Sequence, residues 1–335
     1  SAERLMNDGE LATRLEDVVA RKIGRPGTVH ELQPLTGGAN RSTLSFDADI
    51  DGQRVPLIVQ IGVERPDPAA GITPELRPGE QAHLMIAAAE VGVPAPAVRA
   101  ILEPADGLGE GYITERVAGE TLGPRIIRDD RFAAARPLMA RQCGEILAAI
   151  HRIDSAKAPF LMSQPPAAHI AAHREIADRY GFRLPAIELG LRWAAENAPK
   201  AVRHTVVHGD FRMGNLIVDE TGVRCVLDWE LAQTGDPMAD LGWLCIRTWR
   251  FGGAGPVGGF GSREDLFTAY EGASGAAVDP AHVRFWEAFG NLKWALHCLR
   301  LGSRGIDNND VERCAIGRRI EEPLWDFMNL IESRD

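Results

Sequence analysis

The fold of this chain is decided by residues 208–230, HGDFRMGNLIVDETGVRCVLDWE. Asp210, Arg212 and Asn215 lie in a polar stretch between the apolar runs TVV and LIV, and Asp228 ends a further apolar run after the turn sequence DETG. This order predicts a loop followed by a short hairpin. Because the two strands of a hairpin run antiparallel across a tight turn, Asp228 is expected to lie beside Asn215.

These four side chains have the properties that phosphoryl transfer requires. A carboxylate (Asp228) and an amide carbonyl (Asn215) form a hard-oxygen site suited to Mg²⁺, which takes few protein ligands and relies on phosphate oxygens for the rest. Asp210 can accept a hydroxyl proton, and Arg212 supplies positive charge near a transferring phosphoryl group. The candidate catalytic residues are therefore Asp210 and Arg212, and the candidate metal ligands are Asn215 and Asp228. The competing interpretation is a set of solvated loop residues beside two core strands.

Composition limits the class of protein. With 335 residues, 45% of them hydrophobic, the chain is long enough for two lobes of a soluble globular protein. The net charge of −10 argues against a general nucleic-acid or anionic-membrane binder. No apolar run approaches the ~20 residues that span a bilayer. The first residues have an acidic amphipathic helical pattern rather than that of a signal peptide, so a cytoplasmic protein is expected. The sequence does not determine the oligomeric state.

Two kinds of pattern divide the chain. Between residues 28 and 117, five candidate strands (VHELQPL, STLSFDADI, VPLIVQI, AVRAILE and GYITERV) accompany one helix, GEQAHLMIAAAEVG. Helical periodicity dominates after Gly119, except around residues 208–230. The expected class is α+β, with a small antiparallel β lobe containing one helix and a larger, mainly helical lobe. Residues 1–117, including a leading helix, would form the nucleotide-binding lobe, and residues 118–335 the lobe with the catalytic loop and substrate site.

The spacing of Asp210 and Asn215 matches the protein-kinase catalytic loop, with HGD in place of HRD and DWE in place of DFG. These motifs resemble those of the aminoglycoside phosphotransferase family of kinase-like enzymes. Three segments resemble the branch related to the kinase-like domain fused to some acyl-CoA dehydrogenases: HGDFRMGNLIVD, VLDWELAQTGDPMADLGWL and GGFGSREDLFTAYE. The resemblance implies a protein-kinase-like two-lobed fold and use of ATP, or alternatively GTP, with Mg²⁺.

The resemblance also implies nucleotide-binding residues. The segment LTGGANRSTLSF resembles the family's GGxSxxT turn, whose glycines permit close backbone approach to phosphates. Glu80 matches the helix glutamate that pairs with a strand lysine, and Glu115 and Val117 would offer backbone groups to adenine between the lobes. A plain hairpin turn, a solvated helix-start acid and an ordinary linker are the alternatives. The candidates in the turn are Gly37, Gly38, Asn40, Arg41 and Ser42.

Gln60 departs from the family pattern. It stands where the family has the lysine or arginine that binds the α and β phosphates, and the sequence contains no lysine between Lys22 and Lys157. Arg41 or Arg65 could substitute, because guanidinium also binds phosphate. The alternative to an active enzyme is a nucleotide-binding pseudokinase or scaffold protein. A protein kinase is disfavoured because no A-P-E segment follows DWE.

The acceptor site is expected in the late helices beside Asp210. Acids there alternate with arginines, which favours a neutral or acidic hydroxyl compound, such as a hydroxyacyl-CoA or another alcohol, over a classical aminoglycoside. The segment GAGPVG, residues 253–258, fits G-x-G-x-x-G literally but precedes no βαβ unit. We interpret it as a mobile loop and, as a hypothesis, as a flap near the substrate. The arginines considered are Arg284, Arg300, Arg304, Arg313, Arg318 and Arg319.

Overall fold

A five-stranded antiparallel sheet forms the first part of the protein, in the order β1-β2-β3-β5-β4. The computed structural model describes residues 8–35, 41–62, 71–200, 202–307 and 310–332. Two helices accompany this sheet, α1 before it and α2 between its third and fourth strands. The elements are α1 (Asp8–Lys22), β1 (Pro26–Pro34), β2 (Arg41–Ile50), β3 (Gln53–Gly62), α2 (Pro78–Glu90), β4 (Val98–Leu102) and β5 (Gly111–Glu115).

Strand alternation explains why the sheet folds against α1. On β2, Phe46, Ala48 and Ile50 are buried while the intervening aspartates are half-buried. These side chains pack with Leu15 and Val18 of α1 in one apolar cluster. α2 instead contributes buried side chains to the larger core of the rest of the protein. The helix thus joins the sheet to the helical part.

Helices dominate the second part, and its described residues also form two small sheets, one of three strands in the order β6-β10-β7 and one of two strands, β8 and β9. The elements are α3 (Gly123–Arg128), α4 (Arg136–Ile150), β6 (Ser163–Gln164), α5 (Pro166–Arg179), α6 (Pro185–Asn197), β7 (Thr205–Val207), β8 (Leu216–Asp219), β9 (Gly222–Val226), β10 (Gln233–Gly235), α7 (Met238–Cys245), α8 (Arg263–Ser274), α9 (Pro280–Asp307), α10 (Val311–Gly317) and α11 (Glu321–Glu332). α9 is the longest, with 28 residues, and it packs against α6, α7, α10 and α11.

The architecture confirms the expected α+β class with a small antiparallel β lobe and a larger helical lobe. All five candidate strands and the helix between them form where the sequence pattern placed them. The division of the chain at residues 117 and 118 stays a prediction. No helix in the described part of the chain is long and apolar enough to cross a membrane.

The segment 253–258 is absent from the described lining of the cavity, which does not support the hypothesis of a flap near the substrate. Val257 is fully buried, and its backbone amide donates to Gly261 O over 3.1 Å. The backbone amide of Gly258 donates to Leu244 O over 3.2 Å. The burial of Val257 and the contact with Leu244 pack this segment against the large lobe, and its mobility stays a prediction.

Candidate active site

The loop between β7 and β8 presents the Asp210 carboxylate at the centre of a hydrogen-bond network. Arg212 Nε donates to both carboxylate oxygens, over 3.1 and 3.2 Å. Asn215 Nδ2 donates to Oδ2 over 2.7 Å, and Trp243 Nε1 donates to Oδ1 over 2.7 Å. Asp210 is only 7% exposed. Donors on three sides therefore fix the direction in which its oxygens point.

His208 shapes this loop from inside the core. Its Nδ1 accepts from the backbone N–H of Asp210 over 3.2 Å, while Nε2 lies 3.1 Å from Leu227 O and donates to it. Burial lowers the pKa of His208, with nearby Asp240 and Asp210 opposing that shift. A neutral ring with one donor and one acceptor satisfies both contacts. Through these two contacts, His208 helps to shape the loop that carries Asp210.

Asp240, on α7, holds the start of the loop. Its carboxylate accepts from the backbone amides of His208 and Gly209, over 2.8 and 2.9 Å, and lies 3.2 Å from His151 Nε2. Burial alone would raise the pKa of Asp240, but the hydrogen bonds from His151 and His208 hold it below its ordinary value. Gly209 has a φ of +79°, and a Cβ there would lie 2.2 Å from Leu231 O. Only glycine fits this position without strain.

The hairpin β8–β9 brings Asp228 beside Asn215, as the sequence predicts. Leu216 pairs with Val226, and the backbone amide of Leu227 donates to Asn215 O over 2.8 Å. Asp228 follows directly, with φ +63° and ψ +66°. This left-handed conformation is uncommon for a non-glycine residue, and such residues cluster at functional sites.

Asn215 and Asp228 fit a Mg²⁺ ion. Because Asn215 Nδ2 donates to both the backbone and the carboxylate oxygen of Asp210, the side-chain carbonyl remains as the ligand atom. Asp228 is half-buried, and both residues line the same cavity. A carboxylate and an amide carbonyl are hard-oxygen ligands, and the remaining positions suit phosphate oxygens and water.

A cavity of about 870 Å³ lies between the sheet and the helical part. Seven of the sequence-predicted residues line it: Gln60, Glu115, Val117, Asp210, Arg212, Asn215 and Asp228. The predicted Gly37, Gly38 and Asn40 fall outside the described residues. Arg41 and Ser42 begin β2, where they pair with Gly62 and Ile61 of β3. The proposed phosphate-covering role of this turn stays a prediction.

Gln60 and Glu80 each have a separate partner. Gln60 Oε1 accepts from the hydroxyl of Tyr112, its register partner on β5. The Glu80 carboxylate accepts from the backbone amide of Arg77 over 2.9 Å and from its guanidinium over 2.8 Å. Glu80 thus caps the start of α2, and it is not among the described residues that line the cavity. The structure supports the alternative given for Glu80, a helix-start acid.

Two residues of this site were missed by sequence reasoning. Trp243 lies on α7 one helical turn after Asp240 and contacts Asp210 directly. Lys293, on α9, donates to Gly209 O over 3.0 Å and lies 4.3 Å above the ring of Trp243. Its enclosure by protein lowers the pKa of Lys293, against the influence of Asp210 and Asp240. The only available signal was that Lys293 is the single lysine after Lys200.

The two-lobed fold with an Asp-Asn-Asp site in the cavity between the lobes defines a kinase-like phosphotransferase. The chain matches the model of the phosphotransferase enzyme family APH over residues 31–286. Since this is more than half of the 335 residues, the chain belongs to that family.

Sequence relatives include two acyl-CoA dehydrogenase family members. Member 10 from Mus musculus is 45% identical over 65 residues, covering 19% of this chain and 6% of the relative. Member 11 from Gallus gallus is 30% identical over 176 residues, covering 48% of this chain and 20% of the relative. The chain therefore spans at most a fifth of the length of these relatives.

Solved structures of similar fold cover nearly the whole chain. A candidate aminoglycoside phosphotransferase from Ralstonia eutropha has a TM-score of 0.74 at 21% identity, covering 96% of this chain and 99% of that one. Choline kinase from Cryptosporidium parvum has a TM-score of 0.63 at 14% identity, covering 97% of each chain. A variant of APH(4)-Ia with AMP-PNP and hygromycin B has a TM-score of 0.58 at 18% identity, covering 93% and 98%.

Proposed function

We propose that this protein is an ATP- and Mg²⁺-dependent phosphotransferase that phosphorylates a hydroxyl group of a small molecule. The observation that supports this most directly is the convergence of Asp210, Asn215 and Asp228 at one cavity, with Asp210 held by three side-chain donors. Family membership supports the phosphotransferase class. GTP in place of ATP is the open alternative for the nucleotide.

In the proposed mechanism, Asp210 orients the acceptor hydroxyl toward the γ-phosphoryl group. As the new O–P bond forms and the bond to the leaving ADP breaks, the hydroxyl proton passes to the Asp210 carboxylate. Phosphoryl transfer proceeds through a loose transition state in which positioning matters more than a strong base. A carboxylate already held by Arg212, Asn215 and Trp243 suits that role, because its donors fix its geometry.

Asn215 and Asp228 would hold Mg²⁺, which neutralises charge on the phosphates when bound. Arg212 is the proposed support for the transferring group. Its guanidinium lies 4.4 Å from the centre of the Trp249 ring, and its Nε contacts Asp210. This stacking holds positive charge beside the nucleophile position, where transferring phosphoryl oxygens would lie.

A second candidate is a nucleotide-binding protein without transferase activity. The observation in its favour is Gln60, which stands at the strand position where the family has a cation and which is bonded to Tyr112. The presence of Asp210, Asn215 and Asp228 around one cavity favours an active phosphotransferase. The acceptor proposed from the sequence is a neutral or acidic alcohol, such as a hydroxyacyl-CoA, and the acyl-CoA dehydrogenase names of the relatives are consistent with it.

Two variants test this function. Asp210→Asn should lower acceptor-dependent ADP release at least about 100-fold, because the base and orienting group is lost, while Mg²⁺-dependent ATP binding measured by calorimetry is retained. Asp228→Asn should lose that Mg²⁺-dependent binding. Normal turnover in Asp210→Asn would overturn the catalytic assignment. Failure of the unaltered protein to bind ATP or GTP with Mg²⁺ would favour the scaffold alternative.

A further inference from the structure

His173, on α5, brings one polar ring to the wall of the cavity between the sheet and the helical part. The residue is only 4% exposed. Its Nδ1 lies 2.7 Å from the backbone oxygen of His169, one turn earlier in the same helix. Because a carbonyl oxygen only accepts hydrogen bonds, Nδ1 carries the proton. In a neutral ring, Nε2 then has a lone pair and acts as a hydrogen-bond acceptor.

The ring of His173 is uncharged at neutral pH. Burial lowers the pKa of His173 to about 4, and the charge of Lys293 acts in the same direction. The hydrogen bond to the backbone oxygen of His169 raises the pKa, but not enough to offset burial. At pH 7 the ring therefore carries one proton, on Nδ1, and Nε2 stays unprotonated.

Packing fixes the direction in which Nε2 of His173 points. Phe289 of α9 packs edge-on against the ring, with ring centres 5.3 Å apart, and the ring of His169 is stacked with it at 6.1 Å. His169 is itself held by Gln233, whose side-chain nitrogen lies 2.7 Å from His169 Nε2. In the part of the chain that the structure describes, no donor is bonded to Nε2 of His173, which is left open to the cavity.

Apolar side chains line the cavity around this ring. Ile176 lies three residues after His173, and therefore on the same face of α5. Leu296 lies seven residues after Phe289, and therefore on the same face of α9. Both Ile176 and Leu296 line the cavity. In a largely apolar pocket, a few fixed polar groups select the ligand, because a ligand without the matching group leaves a buried polar atom unpaired.

We infer that His173 Nε2 accepts a hydrogen bond from the alcohol substrate, which therefore carries a second, uncharged hydrogen-bond donor besides the hydroxyl that is phosphorylated at Asp210. This inference rests on the proposed function. The second donor is a hydroxyl or an amide N–H. An ammonium group is disfavoured, because the Lys293 side chain lines the same cavity and its charge acts on His173. The substrate class is thus a diol, a polyol or a hydroxy amide, and His173 is a specificity-determining residue.

The test compares alcohols that differ by one hydrogen-bond donor. Straight-chain diols of increasing length and their monomethyl ethers are assayed by ADP release with Mg²⁺ and ATP, and hydroxy primary amides are assayed against their N,N-dimethyl amides. The two series distinguish a hydroxyl from an amide N–H, and simple alcohols of the same length control for the bulk of the added methyl groups. In at least one series, we expect kcat/KM for the compound with the donor to exceed that for its methylated partner by about 5- to 150-fold, the range for leaving a buried hydrogen-bond acceptor unpaired.

His173→Phe keeps an aromatic ring and removes Nε2, so the two compounds of a pair should give equal kcat/KM in this variant. His173→Gln should keep part of the preference, because the amide oxygen of glutamine also accepts a hydrogen bond. The matched control is His83→Phe, since His83 is exposed on α2 and absent from the described lining of the cavity. Equal kcat/KM within every pair for the unaltered protein, or a preference kept in His173→Phe, would overturn the inference and leave the proposed function intact.

If no alcohol releases ADP although Mg²⁺ and ATP bind, the proposed function fails and the role of His173 is tested by binding alone. Calorimetric titration of each diol or hydroxy amide and of its methylated partner then decides. Tighter binding of the compound with the donor, lost in His173→Phe and kept in His83→Phe, would support the inferred hydrogen bond. Equal affinities within every pair, or no binding of any compound, would overturn it.

Discussion

At the scale of single residues, Trp243 connects the catalytic carboxylate to the helical core. Its indole N–H donates to Asp210 over 2.7 Å, and its ring contacts Lys293. A hydrogen bond to a charged group contributes about 1.5–3 kcal/mol, and a misplaced catalytic group loses rate steeply. The orientation of Asp210 therefore depends on a residue that takes no part in the chemistry.

Replacing this indole should impair turnover and spare nucleotide binding. We expect Trp243→Phe to lower kcat about 10- to 100-fold with little change in KM for ATP, because Asn215 and Asp228 keep their own contacts. Steady-state ADP release measures both constants. Trp325→Phe is the control, since Trp325 is 68% exposed on α11. An unchanged kcat in Trp243→Phe would show that Asp210 is oriented without the indole.

At the scale of elements, the catalytic loop depends on the close approach of Gly209 to the backbone at Leu231. We expect Gly209→Ala to lower the free energy of unfolding by about 2–5 kcal/mol, from the left-handed backbone plus the clash with Leu231 O. Urea unfolding measures this cost.

Gly181→Ala measures the cost of the left-handed backbone alone. The difference between the two variants is then the cost of the clash with Leu231 O. Gly181 also has a positive φ, +69°, but a Cβ there would meet nothing within 4 Å. Its replacement should cost only the about 1–2 kcal/mol of the left-handed conformation. If both variants lose a similar free energy of unfolding, the loop moves to accommodate an added Cβ at position 209. The short distance to Leu231 O would then contribute nothing to the cost.

The sequence predicted the strands and helices more fully than it predicted the contacts of the site. The five strands and the hairpin carrying Asp228 follow from local alternation and turn residues, which a sequence displays directly. The contacts of Trp243 and Lys293 join residues 33 and 84 positions apart. Their side chains have no periodic or motif signal of their own, because their roles arise only when α7 and α9 pack against the loop.

At the scale of the whole molecule, three buried histidines make stability depend on pH. Burial lowers the pKa of His173 to about 4, and burial also lowers the pKa values of His169 and His208. Between pH 6.5 and about 4, the unfolded chain binds a proton at His173 that the folded protein does not, and His169 and His208 act in the same direction below pH 6.5. Stability is therefore fully present above pH 6.5 and lost as the pH falls, by up to about 1.4 kcal/mol per pH unit for each histidine.

Chemical unfolding at pH 7.5, 6.5, 5.5 and 4.5 measures this dependence. His173→Gln should reduce the slope of stability against pH by about 1.4 kcal/mol per pH unit, because one titrating group is removed. His83→Gln is the control, since His83 is exposed on α2. If His173→Gln shows the same slope as the unaltered protein, protonation of His173 does not contribute to acid destabilisation.

The separate partners of Gln60 and Glu80 bear on whether a kinase-like ion pair could form between positions 60 and 80. A lysine at position 60 would meet the Tyr112 hydroxyl across the sheet, while Glu80 would stay engaged by Arg77 at the start of α2. A lysine at position 60 would therefore not by itself form a kinase-like ion pair with Glu80. Arg77 would have to release the carboxylate as well, so two substitutions separate the present arrangement from a kinase-like one.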